Sequence, residues 1–383
     1  MKRHLMVAVL LLAWFVPSVA LAEAGYDGAF FVQNEEQTFR LNFSGRIQTK
    51  LFFEKQTGQP KQMSFEMRRA QVGIAANYHD IVSAGFTLKH AIGSAAESYF
   101  QTVNITGAYM SVEVIPEFVV TAGMVGLPLD MITETSSAWF LLTEAPITST
   151  QDDGLKAITP LRPSFGTPDG LGVNFSGGYW KWFYSLSVVN AAESNYNLNP
   201  DMKMSFGFRT GFNILDPVPG SMSDFENSST PKLTVSLGST YQGKRTDPNT
   251  NADIKYLWTS SLGVGFRWAG LSVTTEGYYR RTRITSLGTA LWARPRLTDI
   301  GYYAAVGYYA IPKKFEVAAQ AGQIIRQGPD NDSWQFGGGL NYYIFDNNLK
   351  MQLAYTLTTD FDDILGLQNR KIHNVALMAS AIF

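Results

Sequence analysis

Cysteine is missing altogether from the 383 residues, so no disulfide can hold this chain together. A chain of this size must then rest on a large core or on a continuous hydrogen-bonded sheet. A surplus of either charge is also missing, with 31 Lys and Arg against 32 Asp and Glu. Phosphate backbones are bound by clustered excess basic charge, so no nucleic-acid partner is indicated. Histidine is scarce: beyond His4 there are only His79, His90 and His373. None stands near a Gly-x-Ser-x-Gly nucleophile motif, and no His or Cys spacing fits a metal. A Gly-Lys-Ser phosphate loop is absent too. A hydrolase assembled from distant strands would have His90 as its one plausible member, and a rim histidine is the simpler account. No cofactor is implied.

Long hydrophobic runs are confined to the first residues. Lys2 and Arg3, the apolar stretch Leu5 to Val16 and the small-residue site Ala20-Leu21-Ala22 read as a cleavable secretory leader over residues 1–22. After it, nothing approaches the roughly 18 to 20 continuous apolar residues of a membrane helix. Aromatics, in contrast, are plentiful: Phe 25, Tyr 18 and Trp 8, beside 34 glycines. That mixture suits strands with one face toward something apolar and the other toward water.

Alternation supports this. Leu349, Met351, Leu353, Tyr355 and Leu357 share one face, and Lys350, Gln352, Ala354, Thr356 and Thr358 share the other. The same period of two sets Leu233, Val235, Leu237 and Tyr241 against Thr234, Ser236, Gly238 and Thr240. It sets Trp258, Leu262, Val264, Phe266 and Trp268 against Thr259, Ser261, Gly265 and Arg267, and Leu41, Phe43, Ile47 and Leu51 against Arg46, Gln48 and Lys50.

Sixteen such strands are predicted, beginning near residues 40, 64, 81, 99, 117, 169, 181, 203, 231, 255, 270, 300, 313, 333, 348 and 370. Connections on one side are tight, around His79-Asp80, Pro116, Trp180, Ala269-Gly270, Pro312-Lys313 and Asp346-Asn347. Those on the other side are longer, as at Glu54 to Met63, Ala191 to Met202, Gly243 to Ile254, Ile284 to Asp299 and Thr359 to Asn369. Short turns at one end and long loops at the other are the asymmetry of an outer-membrane β-barrel. The connection 215–230 breaks the rule by being long on the short side. Closure requires a pairing last strand, since an open edge in hydrocarbon leaves unpaired amides. Val375, Leu377, Ala379, Ala381 and the terminal Phe383 supply it, and a terminal aromatic is what outer-membrane assembly machinery reads.

Several segments resemble the phosphate-selective porin O and P family. They are Tyr26-Asp27-Gly28 through Phe39-Arg40-Leu41-Asn42-Phe43-Ser44-Gly45-Arg46-Ile47-Gln48, Arg68-Arg69-Ala70-Gln71-Val72-Gly73, Gly107-Ala108-Tyr109-Met110, and Gly123-Met124-Val125-Gly126-Leu127-Pro128-Leu129 with Thr135-Ser136-Ser137. The resemblance implies a transmembrane antiparallel β-barrel of about 16 strands, a third extracellular loop folded inward, and a homotrimer in the outer membrane of a Gram-negative bacterium. On this reading residues 23–38 are a short periplasmic segment and 39–383 the barrel. The inward loop, Gly126 to Phe165, carries Asp130, Glu134, Glu144, Asp152 and Asp153 against Lys156 and Arg162 only. The family's selectivity depends on a basic constriction, so this acidic loop favours a general porin for passive diffusion of small hydrophilic solutes or ions. Anion or phosphate selectivity is the alternative.

Alternation sends Arg46, Lys50, Lys89, Arg209, Arg267, Arg280 and Lys350 into the lumen, with Glu113, Glu276 and Glu316; Arg69 joins them as a pore-lining candidate. Basic walls facing the acidic Asp130 and Glu134 would set a transverse field at the constriction. Each wall cation could equally be the partner of a neighbouring carboxylate. Arg280, Arg281 and Arg283 read as a rim meeting anionic lipid head groups. Trp180, Trp182, Trp258, Trp268, Tyr302, Tyr303, Tyr308 and Tyr309 fit the aromatic girdles at the two lipid interfaces, rather than a sugar-stacking track inside. The competing class is a secreted all-β surface-binding protein or adhesin without transport, which leaves the strand number and loop asymmetry unexplained.

Overall fold

A computed structural model describes residues 22–90, 103–149, 164–167, 169–190, 204–246, 253–288, 294–327, 332–362 and 367–383. Residues 1–21 of the leader and the acidic residues Asp152 and Asp153, with Lys156 and Arg162, lie outside the described residues. A hairpin, β1 (Ala22–Tyr26) and β2 (Phe30–Asn34), comes first. The barrel then runs through β3 (Phe39–Gln56), β4 (Gln62–Tyr78), β5 (Val82–His90), β6 (Val103–Ile115), β7 (Phe118–Gly126), β8 (Asp169–Tyr179), β9 (Trp182–Asn190) and β10 (Met204–Asn213). It continues with β11 (Lys232–Gln242), a two-residue extension β12 (Arg245–Thr246), β13 (Asp253–Trp268), β14 (Leu271–Ser286) and β15 (Arg296–Ile311). The last strands are β16 (Phe315–Arg326), β17 (Ser333–Phe345), β18 (Leu349–Asp362) and β19 (Leu367–Ile382).

Every neighbour is antiparallel, and β19 pairs with β3 from Ile382↔Arg46 to Ile372↔Gln56, so the sheet closes. Leaving aside the hairpin and β12, the closed barrel has sixteen strands, which removes the open edge that hydrocarbon forbids. At the seam Phe383 N–H donates to the Gly45 carbonyl at 2.9 Å and Gly45 N–H donates back at 2.5 Å. The Phe383 ring lies over Gly45 where a Cβ would overlap it, so glycine is needed there. Below the seam β2 takes over the edge of β3, Phe30↔Phe43 to Gln33↔Arg40, and residues 22–34 extend the sheet.

The outer surface is apolar and the alternation holds. Leu349, Met351, Leu353 and Tyr355 are exposed, while Lys350, Gln352 and Ala354 between them are buried. Trp258 and Trp268 both face outward, with Leu262 between them. Ten residues at roughly 3.3 Å each, tilted about 45°, separate two girdles by about 25 Å, the height of a hydrocarbon band. The four girdle tyrosines of β15 divide, however. Tyr302 and Tyr308 point out, whereas Tyr303 and Tyr309 are buried inside, because adjacent strand residues face opposite ways.

Strand starts fall within a few residues of the predicted ones. The loop-side strands run further than expected, leaving only residues 57–61 between β3 and β4. Polar residues pair in a ladder as well as apolar ones, so the change of composition marks the edge of the membrane band and not the end of the strand. Tight turns carry positive φ at His79 and Asp80, Trp180, Ala269, Lys313 and Asp346, fitting two-residue hairpins.

Candidate functional site

The chain leaving β7 turns into the barrel. Asp130 caps a one-turn helix α1 (Met131–Glu134), its carboxylate accepting from Thr133 N–H at 2.8 Å, and a 3-10 turn follows at Ser137–Trp139. Inward side chains from much of the circumference hold this loop, mostly by its backbone. Glu276 of β14 accepts from Met131 N–H at 2.6 Å, and Ser261 of β13 donates to the Leu129 carbonyl at 2.5 Å. Lys350 of β18 donates to Ala138 O at 2.6 Å, and Asn341 of β17 to Leu141 O at 2.9 Å. Arg46 of β3 donates to Ser136 Oγ at 3.1 Å, and Arg280 of β14 to Ser164 O at 3.0 Å.

Side chains between these anchors form an apolar core inside the barrel. Leu129, Ile132, Leu141, Leu142 and Phe165 are almost fully buried against Tyr278, Tyr303, Ala305, Ala318 and Ala354. The Phe165 ring stacks on Tyr278 at 5.0 Å, and the Arg280 guanidinium lies 4.7 Å from the Phe165 centroid. Burying these groups offsets the entropy of ordering so long a connection.

The long connection 215–230 explains itself here. It enters the lumen from the turn side and meets the other loop, Met222 N–H donating to Trp139 O at 3.3 Å. Arg267 donates to its Ser221 carbonyl at 2.7 Å, and Glu316 accepts from Ser223 Oγ at 2.5 Å, Tyr343 OH at 2.7 Å and Asn341 at 2.8 Å. Asp224 accepts from Ser228 N–H and Gly270 N–H, which fixes the segment to the β13–β14 turn.

Among the described residues, two ionic sites join the loop to the wall. Glu144 meets Lys50 at 2.8 Å, Arg68 at 3.1 Å and Arg69 at 4.0 Å. Alternation cannot place both Arg68 and Arg69 inward. A bulge opposite Gln48 and Thr49 leaves Arg68 outside the ladder and turns it to the same side as its neighbour. Burial pushes the Glu144 carboxyl up, and the three cations more than reverse it, holding the group below the usual carboxylate range. Burial also dominates at Asp130, whose carboxyl is held above its ordinary range despite the Thr133 bonds. The second ionic site pairs Glu134 of α1 with Arg209 of β10.

Of the candidate residues, Arg46, Lys50, Arg69, Arg209, Arg267, Glu276 and Lys350 all face the loops from the inner wall. Lys89 lies apart, on β5, and its charge acts on Asp169 at the start of β8. Glu113 is exposed near the turn end of β6 and does not join the group. Arg267, Arg280 and Lys350 are spent on backbone carbonyls and, for Arg280, on Asp299 at 2.8 Å. Trp139, exposed on the inward loop, and Arg68 escaped the sequence reading. His373 faces outward with Tyr355, and the His90 side chain lies outside the described residues.

What is left open is the opposite wall. In β14 and β15 every second residue is buried, because the loops cover the inner face. In β4, β7 and β8 inner-face residues such as Gln71, Thr121 and Asn174 keep intermediate exposure among the described residues. One cavity, of about 330 Å³, lies along that wall, and a second, of about 310 Å³, lies further round the barrel, between the loops and the inner faces of β9 to β14. The first is lined by Tyr109, Thr121, Asn174, Ser185 and Asp169, the second by Phe183, Asn213, Pro217, Met222 and Thr234. Glu134 lines both.

No family model and no curated protein sequence matches the chain. Solved structures do. The anion-selective porin from Comamonas acidovorans superposes with a TM-score of 0.64 at 11% identity, over 90% of this chain and 100% of that one. The outer membrane channel DcaP of Acinetobacter baumannii gives 0.60 at 12%, over 94% and 100%. The trimer form of OmpT, an outer membrane protein of Vibrio cholerae, gives 0.60 at 11%, over 90% and 100%. The chain has the fold of the outer-membrane porins.

Proposed function

We propose that the protein is a general porin, integral to the outer membrane of a Gram-negative bacterium and assembled as a homotrimer. Small hydrophilic solutes and ions diffuse passively between the inward loops and the barrel wall, past the two cavities that Glu134 borders. The observation that carries this reading is the partly exposed inner face of β4, β7 and β8 among the described residues, where hydroxyls and amides such as Thr121, Asn174 and Gln71 line the space beside the loops. A polar wall in an otherwise plugged barrel gives solutes a wet route, and the apolar outer band supports the membrane location.

Glu134 and Arg209 stand where the two cavities meet, so a solute passes this pair. Most other wall cations are neutralised by Glu144 or bound to loop carbonyls, which leaves no basic track for phosphate among the described residues. General diffusion is therefore preferred to phosphate selectivity. Conductance and reversal potential of refolded protein in a planar bilayer under a potassium chloride gradient test it. Discrete steps with weak ion preference are expected; strong anion preference blocked by phosphate would restore the selective reading. Absence of steps from correctly folded protein sinks the channel.

A further inference from the structure

The outward faces of β13, β14 and β15 end, on the loop side, in charge. Trp258, Arg281 and Thr298 form one cross-strand row, and Tyr256, Arg283 and Arg296 form the next row outward. Thr282, Ile284 and Leu297, their strand neighbours, are buried inside, so all three arginines face away from the lumen. Arg280, grouped with them by sequence alone, belongs to the interior with Asp299.

Their height on the barrel is fixed by aromatics. Trp258 packs edge-on against Tyr279 at 5.9 Å, and Tyr256 stacks on Tyr241 at 6.0 Å, making the loop-side girdle. Arg281 shares the Trp258 row and Arg283 stands one outward position further, about 6.6 Å along the strand. This is where hydrocarbon gives way to head groups. Below them Tyr279, Ile300, Leu262 and Tyr302 present an exposed apolar surface.

Arg283 and Arg296 are directly opposite each other in the ladder, with side chains roughly 5 Å apart at their Cβ atoms. Like charges so placed are destabilising, and no carboxylate pairs with any of the three among the described residues. An anion between them turns the repulsion into attraction, and forked guanidinium donors match phosphate oxygens in pairs.

We propose that Arg281, Arg283 and Arg296 bind the phosphorylated sugar head group of an outer-leaflet glycolipid, whose acyl chains lie on Tyr279, Ile300, Leu262 and Tyr302. The site takes its leaflet from the outer-membrane reading, with long loops outside. It is independent of whether the channel conducts.

The test titrates detergent-purified, folded protein with bisphosphorylated lipid A, and compares an Arg281→Ser/Arg283→Ser/Arg296→Ser variant. The variant is expected to keep its heat-modifiable gel shift and its conductance and to weaken lipid A binding by at least about tenfold. Phosphatidylglycerol vesicles and inorganic phosphate are expected to compete poorly. Equal affinity of variant and parent overturns the site, and competition by phosphatidylglycerol or phosphate at matching concentration overturns the glycolipid. Should the triple variant not fold, Arg283→Lys/Arg296→Lys replaces it. That pair keeps the charge and loses the fork, so severalfold weaker binding is expected and unchanged binding overturns the arginine site. A barrel that binds lipid A but passes no current defeats the porin reading alone.

Discussion

Glu134, on the short helix of the inward loop, is ion-paired to Arg209 on the wall of β10, and it borders the cavities on both sides of that contact. Cutting the pair from either end leaves a single charge in the passage. Glu134→Gln is expected to shift the reversal potential toward anions and Arg209→Gln toward cations, at little change in conductance. Shifts of the same sign, or none, would remove the pair from the solute's path.

Gly238 of β11 runs beneath the loop so closely that a methyl group would overlap the Leu129 carbonyl. Gly238→Ala is expected to push the loop off the wall and to cost about 1–3 kcal/mol of overpacking. The expected readouts are a lower temperature for loss of the folded gel band and a larger, noisier conductance.

The Glu144 carboxyl, held low in the folded chain by Lys50, Arg68 and Arg69, stabilises the loop above the unfolded carboxylate pKa. That contribution is lost as pH falls through the depressed folded value. Glu144→Gln is expected to lower the melting temperature at neutral pH, with the difference from the parent vanishing in strong acid.

Asp130 has the opposite sign. Burial raises its folded pKa, so its contribution is present in acid and lost as pH rises through the folded value. Asn caps a helix as well as Asp does. Asp130→Asn is expected to raise the melting temperature at neutral pH and to leave it unchanged in acid.

The comparison of Arg68 with Arg69, and of Tyr302 with Tyr303, separates what a linear pattern holds from what it cannot. Strand alternation is local: it follows from backbone geometry and from lipid on one side and polar surroundings on the other. Leu349 to Thr358 therefore declared both faces without any tertiary contact. The bulge at Arg68 depends on how β3 and β4 register, and period two carries no mark of it.

The sequence by itself determined the barrel: sixteen alternating strands, tight turns at one end, and a closing strand ending in Phe383, all dictated by backbone amides that must be paired away from water. The inward loop is expected from the sequence, but only the tertiary structure decided how it is held and what it meets. The loop after β7 and the segment 215–230 meet inside it through contacts between residues far apart in the chain, such as Lys350 with Ala138 and Arg267 with Ser221. Which cations become anchors, and which wall stays open, depends on which carbonyls those loops bring within hydrogen-bonding reach.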